Sequence, residues 1–160
     1  MKALQVRIRK IRSTDVRRII EIERSWPHLS HWSEDSYYRL VNDDGFTASF
    51  LAEVDDETGR PFIAGFVIFH VAGTNSEVYN IAVDTGHART GIGKALMNTV
   101  MNESLKRYAS RVVLEVRKSN AGAIRFYEAF GFRVLGDRKD YYSNPIEDAY
   151  VMEKKLFEQS

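Results

Sequence analysis

The sequence predicts a mixed α/β fold, built on a β-sheet with parallel pairing at its centre. Three observations indicate it. Strand and helix patterns alternate from about residue 77 to residue 154, as they do where parallel strands pair across a covering helix. Residues 111–116 form a nearly continuous apolar strand, which is typical of a strand covered on both faces. Two strands in the first half are joined by turn-forming residues at 55–61, which predicts a hairpin.

The first half of the chain predicts three strands and two helices. Ser13, Thr14 and Asp15 supply capping side chains for the first helix, and turn chemistry at 42–45 follows the second. Basic residues near the N-terminus alternate with apolar ones, which predicts a half-buried edge strand and not a basic tail. In order, the predicted elements are a strand at 4–11, a helix from the Ser13 cap to about residue 25, a helix at 34–41, and strands at 47–54 and 62–71.

The second half carries the alternation of strands and helices. Apolar residues recur at steps of three and four from Ile92 to Tyr108, which predicts an amphipathic helix. Ser119 or Asn120 caps a later helix, and Gly131 closes it. The predicted elements are strands at 77–83 and 111–116, helices at 91–108 and 120–130, and final strands at 132–135 and 149–154.

The length and composition are those of one ordinary globular domain. The chain has 160 residues, of which 44% are hydrophobic and 28% charged, and domains commonly run to about 100–150 residues. It contains no internal repeat or linker, so we expect one domain over residues 1–160. The formal net charge of +1 gives no overall field that would favour nucleic acid or a membrane surface.

Cysteine and histidine usage restricts the chemistry. The chain has no cysteine, which excludes disulfides, thiolate metal ligands and a cysteine nucleophile. Its four histidines lack the paired spacing of a zinc site, so we expect no metal. No apolar run reaches the ~18 residues that span a bilayer, and no apolar stretch typical of a signal peptide is present. The expected location is the cytoplasm.

The segment from Val83 to Leu96 predicts a binding site for a diphosphate. A strand ends, a short polar loop follows, and a helix opens on Gly-Ile-Gly-Lys at 91–94. The first turn of a helix presents unpaired N–H groups and the positive end of its dipole, and glycine lets an anion approach that backbone. Arg89 and Lys94 add positive charge beside it.

Two better-known phosphate motifs do not fit this segment. The P-loop pattern fails because Ala88 occupies the position of its first glycine and Ala95 follows Lys94. The dinucleotide fingerprint fails because Leu96 stands where it needs a third glycine. An alternative that the sequence leaves open is that the two glycines of 91–94 only allow close packing of helix on strand.

Two further residues are candidates for acid–base chemistry. Glu115 lies among apolar residues of a predicted strand, where a carboxylate is costly unless it is paired or protonated. Tyr127 lies on the apolar face of the helix that follows. A buried Glu–Arg pair without chemistry and a core tyrosine with a satisfied hydroxyl are the alternatives.

Two stretches of the sequence resemble the GNAT superfamily of N-acetyltransferases. One joins Asn-Ile-Ala-Val-Asp at 80–84 to Arg-Thr-Gly-Ile-Gly-Lys at 89–94. The other is Leu-Glu-Val-Arg-Lys-Ser-Asn-Ala-Gly-Ala-Ile-Arg-Phe-Tyr-Glu-Ala-Phe-Gly-Phe at 114–132. Within the superfamily they are most similar to the RimI-type ribosomal-protein alanine N-acetyltransferases. His-Trp-Ser-Glu at 31–34 and Arg-Lys-Asp-Tyr-Tyr at 138–142 resemble further segments of that group.

The resemblance implies a fold and an activity. The implied fold is a mostly antiparallel central sheet with one splayed parallel pair and helices on both faces. The implied enzyme transfers an acetyl group from acetyl-CoA to the α-amine of a protein N-terminus, by direct attack in a ternary complex and without a metal. The implied partner is a protein N-terminus, with a ribosomal protein as the candidate; no direct nucleic-acid or membrane contact is expected. The sequence does not set the oligomeric state.

The resemblance also implies a role for each matching residue. Glu115 matches the general base and Tyr127 the general acid. Asn120 would bond the pantetheine side of the cofactor. The strand residues expected to pair with the pantetheine arm are Ile81, Ala82 and Val83. The residues expected at the pyrophosphate are Arg89, Thr90, Gly91, Ile92, Gly93 and Lys94. The side chains expected to wall the acceptor groove are Trp32, Glu34, Tyr141 and Tyr142.

The sequence departs from the family's pattern at one position, and it leaves two other functions as alternatives. The family's pyrophosphate motif usually has Gln or Arg where Ala88 stands, so we expect somewhat weaker cofactor binding. The same fold could acetylate a lysine or a small-molecule amine, because a fold does not set its substrate. A non-catalytic acyl-CoA-binding module is the third hypothesis, although binding alone would require neither Glu115 nor Tyr127.

Overall fold

A computed structural model describes residues 4–27, 29, 31–42 and 45–157. Short 3-10 turns lie at Ser13–Asp15 and Thr85–His87. The strands and α-helices are, in chain order, β1 (Arg7–Lys10), α1 (Val16–Arg24), α2 (Glu34–Val41), β2 (Thr47–Asp55), β3 (Pro61–Ala72), β4 (Asn75–Val83), α3 (Ile92–Lys106), β5 (Arg111–Arg117), α4 (Ala121–Ala129), β6 (Arg133–Ser143) and β7 (Ile146–Lys155).

The seven strands form one sheet in the order β1-β2-β3-β4-β5-β7-β6. Strands β4 and β5 pair in parallel, and the other neighbours pair antiparallel. A parallel pair needs a crossover connection, which α3 provides. The mixed sheet with central parallel pairing is therefore confirmed.

Helices cover both faces of the sheet, as expected. On one face α3 and α4 contribute to a core with the sheet, with Leu96, Val100 and Tyr127 among its buried residues. On the other face α1 and α2 pack on β2, β3 and β4. Strand β3 carries Gly65 under α3: a Cβ there would lie 3.1 Å from Ile92 Cγ2 and 3.0 Å from the Ala82 carbonyl oxygen. Glycine at this position lets α3 lie close to the sheet.

The parallel pair splays apart halfway along. Pairing of β4 with β5 runs from Asn75 opposite Arg111 to Val78 opposite Leu114 and goes no further. Beyond that point β4 stays paired with β3, whereas β5 stays paired with β7. A register shift in β4 leaves Tyr79 as an extra residue, the signature of a β-bulge. The last part of β4 therefore presents a backbone edge toward the gap between the two strands.

The edge strand β6 differs most from the prediction. We expected a strand at 132–135, and the strand runs from Arg133 to Ser143. Most of its residues are exposed, so they carry no alternation of apolar and polar side chains that would reveal a strand. Its pairing with β7 defines it instead. Strand β1 also lies at an edge, and it is shorter than predicted.

Helix α3 is shorter than the apolar pattern predicts. It ends at Lys106, and Tyr108 follows in a left-handed conformation with φ of 65°. Tyr108 is 86% exposed, so including it in the apolar face was wrong. In the described residues, no helix is long and apolar enough to cross a membrane.

Candidate active site

The loop before α3 gives the helix an open N-terminus. Gly91 caps the helix with φ of +89°, and Arg89 also has a positive φ of 61°. The first intrahelical bond is donated by the Ala95 N–H to the Gly91 carbonyl, at 3.0 Å. The N–H groups of 92–94 precede it and have no acceptor within the helix. Arg89 and Lys94 are exposed beside them, and N–H groups in this arrangement suit the binding of an anion.

The two glycines of this turn do different things. A Cβ at Gly91 would meet no atom within 4 Å, so close packing does not explain it. Its positive φ does, because side chains disfavour that conformation. A Cβ at Gly93 would lie 3.4 Å from Phe126 Cζ of α4. The packing alternative thus applies to Gly93 and not to Gly91.

The end of β4 is anchored by α1 and by the residues after it. Trp26 Nε1 donates to the Val83 carbonyl at 2.6 Å. Arg18 Nη2 donates to Asp84 Oδ2 at 2.6 Å, and the Gly86 N–H donates to Asp84 Oδ1. Burial alone would raise the pKa of Asp84, but hydrogen bonds from Arg18, His87 and Gly86 hold it below its ordinary value. These contacts fix the turn that leads into α3.

A small cavity of about 70 Å³ lies where β4 and β5 separate. It brings together four residues that the sequence singles out: Ile81, Glu115, Tyr127 and Tyr142. They come from β4, β5, α4 and β6 respectively. The cavity is also lined by Leu29, Val78, Tyr79, Asn80 and Leu114. The two residues of the predicted acid–base pair therefore line the same small space.

Glu115 is nearly buried, with 9% of its side chain exposed. Arg138 of β6 donates from Nε to Glu115 Oε1 at 3.1 Å. Burial and the nearby charge of Glu77 raise the pKa of Glu115, and Arg138 opposes that rise. A Glu–Arg pair is thus present, although its arginine comes from another strand. A carboxyl with a raised pKa suits a group that takes up and releases a proton near neutrality.

Tyr127 belongs both to the core and to the cavity. Its ring packs against Phe126 and Phe132, and the residue is 8% exposed. Burial, with a smaller contribution from Tyr142, raises the pKa of Tyr127 far above its ordinary value. Its hydroxyl therefore stays protonated at neutral pH and can act only as a proton donor there.

Asn120 is the cap of α4. Its Oδ1 accepts a hydrogen bond from the Ala123 N–H at 3.2 Å. Ser119, the other candidate, bonds to Glu147 through its N–H and its hydroxyl. The cap uses only the side-chain oxygen of Asn120, and its amide NH₂ is not part of that bond.

Of the four residues predicted to wall the acceptor groove, one lines the cavity, one lies beside it and two lie away from it. Tyr142 lines the cavity, under the Arg117 guanidinium at 4.1 Å, and Tyr141 lies beside it with ring centroids 5.0 Å apart. Trp32 lies outside this cavity, in an open cleft that shares Tyr79 with it. Glu34 is exposed in the first turn of α2 and lines neither space.

A buried polar network that the sequence did not reveal lies behind the cavity. Glu23 of α1 is fully buried and accepts from the Trp32 N–H at 2.9 Å and from Asn80 Nδ2 at 3.2 Å. Asn80 also donates to the Tyr37 hydroxyl at 2.9 Å. Burial raises the pKa of Glu23 to about 7. The available signal was an acid four residues after Ile19 on the buried stripe of an amphipathic helix.

Across the described ranges, no group of three or more His, Cys, Asp or Glu side chains is arranged to hold a metal ion. The polar residues that line the cavity are instead Glu115, Asn80 and the tyrosines Tyr79, Tyr127 and Tyr142.

Comparison with known proteins shows which family the chain resembles. The sequence profile of the Acetyltransferase (GNAT) family matches residues 13–132. The [ribosomal protein bS18]-alanine N-acetyltransferase of Escherichia coli K12 is 33% identical over 147 residues, which cover 91% of this chain and 94% of that protein. An N-alpha-acetyltransferase of Sulfurisphaera tokodaii is 34% identical over 170 residues, with 97% and 96% coverage.

A solved structure agrees with the sequence comparison. The crystal structure of the ribosomal-protein-S18-alanine N-acetyltransferase from Escherichia coli superposes with a TM-score of 0.80 at 30% identity. The match covers 98% of this chain and 97% of that one. Likeness in sequence and in fold therefore extends over nearly the whole chain.

Proposed function

This chain belongs to the acetyltransferase (GNAT) family and is an acetyl-CoA-dependent N-acetyltransferase, and we propose that its acceptor is the α-amine of a protein N-terminus. The observation that carries the proposal is the cavity at the splay, where Glu115 and Tyr127 line one space of about 70 Å³. The names of the relatives in Escherichia coli and Sulfurisphaera tokodaii support the α-amine as acceptor.

The residues present fit acetyl-CoA. Two observations support this: the open N-terminus of α3 at Gly91, and the edge of β4 that does not pair with β5 beyond Val78. We propose that 89–94 hold the pyrophosphate and that 81–83 hold the pantetheine arm, with Asn120 beside it. When bound, acetyl-CoA supplies a thioester carbon for the amine to attack and a thiolate as leaving group.

Glu115 is proposed as the base. An α-amine has an ordinary pKa of ~7.7–8.0, so most of it is protonated at pH 7 and cannot attack. A carboxyl that lines the cavity and is partly held in its ionised form by Arg138 can accept that proton, directly or through a water.

Tyr127 is proposed as the acid. Its raised pKa keeps the proton on its hydroxyl, in the same cavity as Glu115. The phenol can therefore protonate a leaving group while the carboxyl removes a proton from the amine. Two groups whose environments give them opposite protonation states are the usual requirement for acid–base chemistry in one site.

The acceptor is tested by initial rates on a panel of amines. The panel compares short peptides that differ in their first residue, the same peptides with a blocked N-terminus, free lysine and small amines. Peptides with a free α-amine, alanine among their first residues, should react with the highest kcat/KM. If lysine or a small amine reacts faster, the α-amine is not the acceptor. We also propose that the partner is a ribosomal protein and that the enzyme works in the cytoplasm.

A further inference from the structure

A charged cluster surrounds Glu115 on the sheet face opposite α3. Val112 and Leu114 of β5 point into the core that α3 shares, so Glu115 faces the other way. On β4, Glu77 lies opposite Val113, which makes it the diagonal neighbour of Glu115 on the same face. On β6, Arg138 reaches Glu115 with a 3.1 Å hydrogen bond.

Several other titratable groups lie around Glu115, among them Arg117, which shares its face of β5 and is paired with Glu147 at 3.5 Å. Tyr141 and Tyr142 of β6 have raised pKa values, mainly through burial, and stay neutral. Tyr127 of α4 is neutral for the same reason. On β7, Glu153 is paired with Arg111 at 3.4 Å. Among the described residues, the charges that shift the pKa of Glu115 are those of Arg138 and Glu77, on strands at opposite sides of it.

We propose that Arg138 and Glu77 are positioning residues that act on Glu115 in opposite directions, Arg138 holding its carboxylate ionised and in place and Glu77 favouring its protonation. The inference rests on the proposed function, because it assigns these residues to the base. Neither residue touches the cavity in which the reaction is proposed, so both act through Glu115.

The balance matters because burial raises the pKa of Glu115, and the protonated carboxyl that burial favours cannot act as a base. Arg138 is 55% exposed, so solvent weakens its effect. The carboxylate that it contacts is nearly buried, which limits that screening. One exposed arginine and one half-buried glutamate can thus set the pH range in which the enzyme works.

The test is a direct titration of the Glu115 carboxyl by ¹³C NMR, in the free protein, for the wild type and three variants. Arg138→Gln should move the Glu115 midpoint up by about half a pH unit or more, and Glu77→Gln should move it down by a similar amount. Arg138→Lys keeps the charge and should recover most of the wild-type midpoint. Two controls remove equal charges elsewhere: Arg133→Gln, five residues away on β6, and Glu57→Gln, in the β2–β3 loop.

The pH dependence of kcat/KM for a peptide acceptor is the second readout. Its acidic limb should move in the same directions as the NMR midpoints. If neither Arg138→Gln nor Glu77→Gln moves the NMR midpoint beyond the controls, the inference is overturned and the proposed function is untouched. If the midpoints move and the acidic limb does not follow, Glu115 is not the base, which overturns both. Because the titration needs no turnover, the two failures are distinguishable.

Discussion

At the scale of single residues, Tyr127 combines two roles that are usually separate. Its ring packs between Phe126 and Phe132, and its phenol lines the cavity with Glu115. Burial disfavours the phenolate and so raises the pKa of Tyr127 further above its ordinary value. The core position and the proposed role as an acid are therefore compatible.

Substitution of Tyr127 by phenylalanine separates packing from chemistry. The ring contacts remain, so thermal stability and the Kd for coenzyme A should change little. Loss of the proton donor should lower kcat by about 100-fold. Tyr108→Phe is the matched control, because Tyr108 is 86% exposed and should leave kcat unchanged. A Tyr127→Phe enzyme with wild-type kcat would remove Tyr127 as the acid.

Glu23 makes the stability of the protein depend on pH. Its pKa is about 7 in the folded protein and about 4.3 in an unfolded chain. Between these values the folded state retains a proton that the unfolded chain has released, so stability falls as pH rises. The loss is at most about 4 kcal/mol and is complete above the folded pKa.

The variant Glu23→Gln should remove this slope. Its amide oxygen can still accept from the Trp32 N–H, and it has no charge to bury. Urea unfolding at pH 5 and pH 8 gives the comparison: the wild type should lose stability relative to Glu23→Gln between the two. A constant difference would show that Glu23 ionises in the folded protein as it does in the unfolded chain.

At the scale of elements, the turn into α3 depends on the left-handed conformation of Gly91, whose φ is +89°. The variant Gly91→Ala should cost about 1–2 kcal/mol of stability, because alanine disfavours a positive φ. It should also weaken coenzyme A binding about tenfold by disturbing the N–H groups of the first helical turn. Isothermal titration and thermal unfolding measure the two effects.

Gly59 provides the matched control for this variant. It has a similar φ of +81° and no atom within 4 Å of a Cβ, and it lies in the β2–β3 loop. Gly59→Ala should cost similar stability and leave the Kd unchanged. Equal Kd values for both variants and the wild type would contradict the anion site.

Elements whose ends are set by neighbouring residues could be predicted from the sequence. Strands whose hydrogen bonds come from distant parts of the chain could not. Helix α2 has its predicted bounds because the Ser33 hydroxyl caps it locally, accepting from the Ser36 N–H. Strand β6 was predicted at less than half its length, since its exposed residues show no pattern and its hydrogen bonds come from β7.

The same distinction holds for the candidate site. Glu115 and Tyr127 were recognisable because each is a polar residue at an apolar position. Arg138 was not recognisable as the partner of Glu115, because it lies 23 residues further along the chain. Glu23 was missed because its partners Trp32 and Asn80 come from a loop and from another strand.

At the scale of the whole molecule, the separation of β4 and β5 determines where the parts of the candidate site lie. The separation opens a backbone edge on β4, exposes Glu115 of β5 to the gap and leaves room for Tyr127 of α4. The anion site at α3 follows directly from the end of β4. Strands that pair along their whole length would remove the cavity, so the proposed reaction site depends on the separation of β4 and β5.

The most direct measurement uses one peptide that contains a free N-terminal alanine and an internal lysine. It is incubated with the enzyme and acetyl-CoA, and tandem mass spectrometry locates the added acetyl group. We expect acetylation of the α-amine, with the lysine unmodified and the product strongly reduced in Glu115→Gln. Acetylation of the lysine, or an α-amine product formed equally well by Glu115→Gln, would contradict this expectation.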